Sequence, residues 1–175
     1  NDADFCTNIC CMYAIKEALL AKSRTNGEAE TVIFYMDMRT FGKSFQRYRD
    51  KAENECGVRF ENARVHSVIQ EEGTGNLLVR YVDTEGVTRE ESFDMIVLAA
   101  GQRPAPGTAE LAELTGISLN KWGFAETVPF SLTGTSRSGI FIGGSFSGQK
   151  DIGESVIQAS AAAASASRTI IASGK

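Results

Sequence analysis

At 175 residues, with 42% hydrophobic and 23% charged side chains, the chain has the length for one ordinary domain or two small lobes and is too apolar for disorder. Its net charge of −4, with lysines and arginines interspersed among acids, argues against a nucleic-acid surface. It contains no apolar run of about 18 residues and its start lacks the order of a signal peptide, so the expectation is a cytoplasmic protein with no membrane span.

Three of the four cysteines crowd into Cys6, Cys10 and Cys11, at the beginning of the chain. In a reducing compartment such clustering favours metal, cluster or redox chemistry over a disulfide framework. From spacing alone an iron–sulfur cluster, zinc and plain reduced thiols stand level. Thr7 or Asn8 is expected to cap a helix running to about Lys22, with Met12, Ile15, Ala18 and Leu19 on one face and Cys10 and Cys11 in its first turn. Thiols at the positive end of a helix dipole have lowered pKa values and suit an anionic ligand set. The abrupt start just ahead of this segment reads as a piece of a longer protein.

Asn26-Gly27 stops the helix, and residues 31–36 form an apolar run that suits a parallel strand buried on both faces. A helix is expected over 41–55, with Phe41, Phe45, Tyr48, Ala52 and Cys56 on its buried stripe, which makes Cys56 a packing residue. Val58-Arg59-Phe60 opens the next strand and completes a strand–helix–strand unit. Arg39 and Lys43, just after the first strand, are either a vestigial anion site or a solvated helix start. Alternation over 63–70 and 77–83, with turns at 71–76 and 83–86 and a third strand at 88–92, predicts an antiparallel meander laid against the parallel sheet. His66, the one histidine, falls in this meander and offers no credible hydrolytic triad.

Residues 93–100 return to the buried parallel type and end at Gly101, where a lobe boundary is expected. Residues 105–138 read as a connector with a short helix over 109–115 and the lone Trp122. Ile140-Phe141-Ile142 is then expected as a short buried strand whose glycine-rich end, Gly143-Gly144-Ser145, meets a helix N-terminus, so that backbone N–H groups approach a phosphate or flavin. That helix, over 152–171, should bury Val156, Ala159, Ala163 and Ala166. Lys150 and Asp151 precede it, either as a cationic flavin-tuning loop or as a plain N-cap beside a solvated lysine.

Two corners, Ala100-Gly101-Gln102-Arg103-Pro104 and Thr135-Ser136 through Gly143-Gly144-Ser145, resemble the return segment of two-dinucleotide-domain flavoproteins, with Ser145 where that superfamily has an acid. Cys6-x-x-x-Cys10-Cys11-Met12-Tyr13-Ala14-Ile15-Lys16, Phe34-Tyr35-Met36-Asp37-Met38-Arg39 and Gly148-Gln149-Lys150-Asp151-Ile152 together resemble the A-subunit family of heterodisulfide reductase across nearly the whole chain. The resemblance implies an FAD-dependent, iron–sulfur-linked oxidoreductase of anaerobic electron transfer toward disulfide or sulfur-compound reduction. It implies a 4Fe–4S cluster on Cys6, Cys10 and Cys11, with a fourth cysteine upstream, and FAD contacts at Gly101, Gln102, Arg103, Gly143, Gly144, Ser145, Lys150, Asp151 and Ile152. It also implies other electron-transfer subunits as partners, and both cofactors incomplete or absent in a fragment. No catalytic acid, base or nucleophile is required, because electron tunnelling needs only placed cofactors and set potentials. No GxGxxG turn precedes the cysteine helix, so a nicotinamide site is expected to be lost.

The expected fold is α/β: residues 1–100 as a Rossmann-like FAD/NAD(P)-binding type of lobe with a meander, and 101–175 as the C-terminal part of an FAD-binding lobe. Two rivals stand beside it. One is a disulfide oxidoreductase using a Cys10/Cys11 pair, although adjacent cysteines pair only with strain. The other is a non-catalytic assembly module that packs, or forms homo-oligomers, through an exposed sheet edge.

Overall fold

The computed structural model describes residues 3–174. It is mixed α/β and divides into two compact units, one formed by Cys10–Ala100 and one by residues 3–9 with 101–174.

The first unit contains α1 (Cys10–Arg24), β1 (Val32–Tyr35), α2 (Phe45–Asn54), β2 (Arg59–Gln70), β3 (Leu77–Asp83) and β4 (Thr88–Phe93). The strands form one mixed sheet in the order β1-β2-β3-β4. The long β2 makes this continuity: Arg59 to Asn62 pair in parallel with β1, and Ala63 to Gln70 pair antiparallel with β3. The meander is therefore not laid on the parallel sheet but extends it edge to edge. One apolar core gathers Ile15 of α1, Ala52 of α2 and Val58, with Met12, Leu19, Ile33, Met38, Tyr48 and Phe60 packed around them. A second holds Ala63, Val79 and Tyr81 against Phe34, Phe93 and Ile96. There the Phe34 ring lies 4.9 Å from Tyr81 and 5.8 Å, edge-on, from Phe93.

Four expectations are corrected in this unit. α1 begins at Cys10, because Asn8 adopts a left-handed conformation (φ 58°) that a helix cannot include. α2 begins at Phe45, because Gly42 (φ 146°) and Ser44 (φ 71°) break the helical path, leaving Phe41 exposed ahead of it. A bulge between Val65 and Ser67 interrupts the strict alternation of β2, and along this strand Val65 and Ile69 are exposed while Ala63 is buried. Residues 94–100 are not a strand: pairing with β3 ends at Phe93, the Ala100 N–H turns back to the Leu98 carbonyl (2.9 Å), and Met95, Val97 and Leu98 are exposed. An apolar run becomes a strand only where a neighbouring ladder receives its backbone groups.

The second unit contains α3 (Thr108–Thr115), a single 3-10 turn at Gly144–Ser147 and α4 (Ile152–Ala172). Ala112, Ile117, Ala125 and Ile142 form its core, with Leu119, Ile140 and Phe146 against them. The expected strand at 140–142 is reduced to an isolated bridge between Phe141 and Gly134. α4 buries Gln158 rather than Val156, which is exposed together with Ile157, Ile170 and Ile171. The reason is polar: Gln158 Nε2 donates to the Leu132 carbonyl (2.6 Å) and the Ser147 hydroxyl (2.9 Å), tying helix to loops that lack ladder bonds of their own. No helix among the described residues is long and apolar enough to cross a membrane.

Candidate metal and cofactor sites

In the second unit the cysteine segment is fixed from the side of Trp122. Phe5 packs edge-on to the Trp122 and Phe124 rings, with centroids 5.6 and 5.9 Å away. The Trp122 indole N–H donates to Asp4 (2.5 Å) and the Lys121 ammonium lies 3.5 Å from the same carboxylate; indole and ammonium hold the Asp4 carboxyl below its usual range. Cys6 follows directly. The left-handed turn at Asn8 then brings the Asn8 N–H to 3.3 Å from Cys6 Sγ. Thr7, between them, has a buried hydroxyl with no hydrogen-bond partner, and it lies so close to Gly101 that any Cβ there would collide with its side chain. Glycine at 101 is needed for that approach and not for a positive φ.

In the first unit Cys10 and Cys11 open α1. Cys11 Sγ accepts the backbone N–H of Arg39 at 3.4 Å and, as a thiol, donates to the Asp37 carbonyl at 3.9 Å. The Arg39 guanidinium turns away to the Asp37 carboxylate (2.5 Å). No disulfide joins the cysteines of the described residues. Among the described residues no three His, Cys, Asp or Glu side chains are gathered as a metal-ligand group. The donor types present are cysteine sulfurs, the kind a soft metal centre takes, and Cys6 and Cys11 each receive a backbone N–H.

Of the residues expected to face a flavin, Gln102 and Lys150 come together directly. The Gln102 side chain reads both backbone groups of Lys150, accepting its N–H (3.0 Å) and donating to its carbonyl (3.2 Å). Asp151 caps α4 reciprocally with Glu154: the Glu154 N–H donates to Asp151 Oδ1 (2.7 Å) and the Asp151 N–H to Glu154 Oε2 (2.9 Å). Two carboxylates thus sit at the helix start, which makes it a poor phosphate cradle. Gly143 and Gly144 run beside α4 at Ala159 and Ser155, while Arg103, Ser145 and Ile152 are exposed. The Ser145 carbonyl accepts the Gly148 N–H at 3.4 Å. Cys56 is half-buried at the end of α2, and His66 and Lys43 are exposed.

Sequence reasoning did not single out the amides of Asn8 and Arg39 or the Asp4/Phe5 anchor on Trp122. Only Asn8 carried a usable signal, since asparagine tolerates the left-handed turn.

No protein-family model matches the chain. Curated relatives do, nearly end to end. The second of two iron–sulfur A subunits named for the CoB–CoM heterodisulfide reductase of Methanopyrus kandleri is 37% identical over 98% of the chain and 26% of its own length. The iron–sulfur A subunit of the CoB–CoM heterodisulfide reductase of Methanocaldococcus jannaschii is 38% identical over 93% of the chain and 25% of its own length. A protein of Archaeoglobus profundus, named as like the heterodisulfide reductase A subunit, is 38% identical over 98% and 24%. The class these relatives define is that of reductase subunits, two of the three named for iron and sulfur. The chain belongs to the A-subunit family of heterodisulfide reductase and spans about a quarter of the length of the curated relatives it matches.

Proposed function

We propose that the chain is part of an FAD-dependent, iron–sulfur-linked oxidoreductase working in anaerobic electron transfer toward disulfide or sulfur-compound reduction. In this reading Cys6, Cys10 and Cys11 are ligands of a 4Fe–4S cluster, residues 1–100 are a nicotinamide-type Rossmann-like lobe, and 101–175 are the C-terminal part of an FAD lobe. Other heterodisulfide reductase-type subunits are its partners. The observation that carries the proposal is the pair of N–H···S hydrogen bonds, Asn8 to Cys6 and Arg39 to Cys11, on two of three cysteines of one motif. A backbone N–H directed at a thiolate offsets part of its charge, which suits a cluster ligand.

A cluster and a flavin would supply one-electron and two-electron exchange, and the chain's own residues would position them. Cys10 and Cys11 stand at the N-terminus of α1, the end of a helix dipole that favours a negatively charged ligand set. Gln102 fixes the backbone of Lys150, which in turn orients the half-buried lysine whose charge would stabilise a reduced, anionic flavin. Because Asp151 and Glu154 occupy the start of α4, the flavin ring and not the pyrophosphate is the portion suited to this loop. Gly101, Arg103, Gly143, Gly144, Ser145 and Ile152 complete the proposed FAD-facing set.

In the intact protein Cys10→Ser or Cys11→Ser is expected to remove one cubane's iron and sulfide while FAD remains, since serine is a poor ligand for a soft centre. Metal and acid-labile sulfide analysis with EPR makes the measurement. Unchanged iron and an unchanged spectrum would favour the thiol-pair or assembly reading.

A further inference from the structure

We propose that a strand from the part of the longer polypeptide that precedes these residues pairs in parallel with the free edge of β1, and that residues 95–98 pair along the far side of that strand. The edge and the run both belong to the Cys10–Ala100 unit. The pairing involves neither iron nor flavin, so it stands or falls apart from the cluster reading above.

The two edges of the sheet differ in kind. β4, the outer strand on one side, reads Thr-Arg-Glu-Glu-Ser-Phe, and charges at Arg89, Glu90 and Glu91 discourage a further strand. β1, the outer strand on the other side, reads Val-Ile-Phe-Tyr, without charge or proline, and all four residues are half-buried. Its side chains serve both cores of the unit, Ile33 with Ile15 and Ala52, and Phe34 with Tyr81 and Phe93. That is the pattern of an interior strand in a parallel sheet. The Arg59 N–H donates to the Thr31 carbonyl (2.9 Å), so by the alternation of a parallel ladder Ile33 and Tyr35 turn their backbone groups to β2. Val32 and Phe34 turn theirs outward, where no described strand receives them. The run after β4 is the second unsatisfied element: Ile96 packs into the core of Phe34, while Met95, Val97 and Leu98 around it are 73%, 66% and 83% exposed.

The winding of the chain says where the missing strand comes from. β1, α2 and β2 form a strand–helix–parallel strand unit, and such crossovers are almost invariably right-handed. α1 leads into β1 and shares one core with α2, on the sheet face that carries Ile33 and its register partner Phe60. A strand feeding α1 keeps the same hand only if it lies on the side of β1 away from β2, which is the free edge. The chain spans 26% and 25% of two of its relatives, so the same polypeptide has length to supply this strand at the high effective concentration of an intramolecular partner. A second copy related by a two-fold axis would instead pair antiparallel with β1 and leave 95–98 uncovered.

Hydrogen exchange of the intact protein, resolved to single residues, tests the pairing against an internal standard. The Val32 and Phe34 amides are expected to exchange within about tenfold of the Ile33 and Tyr35 amides that face β2, with alternate amides of 95–98 protected as well. On a free edge Val32 and Phe34 would exchange more than about a hundredfold faster than those neighbours. That result, or fast exchange throughout 95–98, would overturn the inference. Photo-cross-linking identifies the occupant, with p-benzoylphenylalanine in place of Met36, which is exposed just past the end of β1. The linked peptide is expected to come from the same polypeptide, ahead of these residues. A band of doubled mass from a second copy, a link to a partner subunit or to a peptide after Lys175, or no link at all would each overturn it.

Discussion

In the unit of Cys10–Ala100 the ladders between β1 and β4 consume the backbone donors, and the side chains are left to fill two apolar cores. In the unit of residues 3–9 and 101–174, where pairing shrinks to three isolated bridges, single polar side chains do the joining. Gln158 links α4 to Leu132 and Ser147, Gln102 holds Lys150, and the Thr135 hydroxyl accepts the Arg137 N–H and donates to the Ile140 carbonyl (2.9 Å). A sheet makes its side chains interchangeable within apolar limits. A loop framework makes its polar side chains specific, because each satisfies backbone groups that nothing else reaches.

The largest effect should fall in the sheet unit. Ile15 is fully buried between α1, Ala52 and Val58, and Ile15→Ala is expected to cost about 2–5 kcal/mol by removing apolar contacts and leaving a cavity. Urea unfolding followed by hydrogen exchange of β1 and β2 amides should show it, with amides of residues 108–172 keeping their protection. Equal loss of protection in both units would break the comparison, since it would make them one cooperative body.

Gln158→Leu comes next. Its shape is close to that of glutamine, yet the Leu132 carbonyl is left without its donor, at about 1–3 kcal/mol. A neutral result in the same assay would mean that α4 is held by its apolar atoms and would refute the polar account of this unit.

Tyr81→Phe sharpens the contrast from inside the sheet, at a place where that unit also relies on a polar cluster. The Tyr81 hydroxyl donates to Glu91, which also accepts from Arg59. Burial, followed by the Glu91 contact, pushes the Tyr81 hydroxyl up to about 12. Burial alone would raise the Glu91 carboxyl, but Tyr81 and Arg59 outweigh it and hold it below its usual range. The raised tyrosine contributes stability in full below pH 10 and loses it as pH climbs toward 12. The phenylalanine variant is therefore expected to be less stable by about 1 kcal/mol at neutral pH, with the gap closing between pH 10 and 12. A gap constant across that window, measured by denaturant midpoints, would place the hydroxyl outside the titrating cluster.

Much of the sheet unit could be read in advance, and the limits are instructive. The run Val32 to Tyr35, the stop at Asn26-Gly27 and the face of Met12, Ile15 and Leu19 are local patterns that packing had no reason to override. The run at 94–100 carries an equally apolar pattern and fails as a strand, because no ladder continues past Phe93. The bulge at Val65 to Ser67 shifts one residue without leaving a glycine to mark it. At the candidate site the cysteine motif, Gly101 and the Lys150 loop were legible, while the amides that reach Cys6 and Cys11 were not: a peptide N–H is present at every residue but proline and carries no side-chain signature.

By itself the sequence determined the residue types the chain carries: a cysteine motif running into a helix start, glycine corners, a capped terminal helix and a composition that packs. Those depend on residue identity and short spacing, which neighbouring atoms enforce. Only the tertiary structure decided which backbone groups meet them. Arg39 reaches Cys11 because Met38 and Met12 share a core, and Gln102 reaches Lys150 across a chain separation of 48 residues. Such meetings depend on where whole elements come to rest, and hydrophobic burial, which has no direction of its own, sets that placement before any single hydrogen bond can select it.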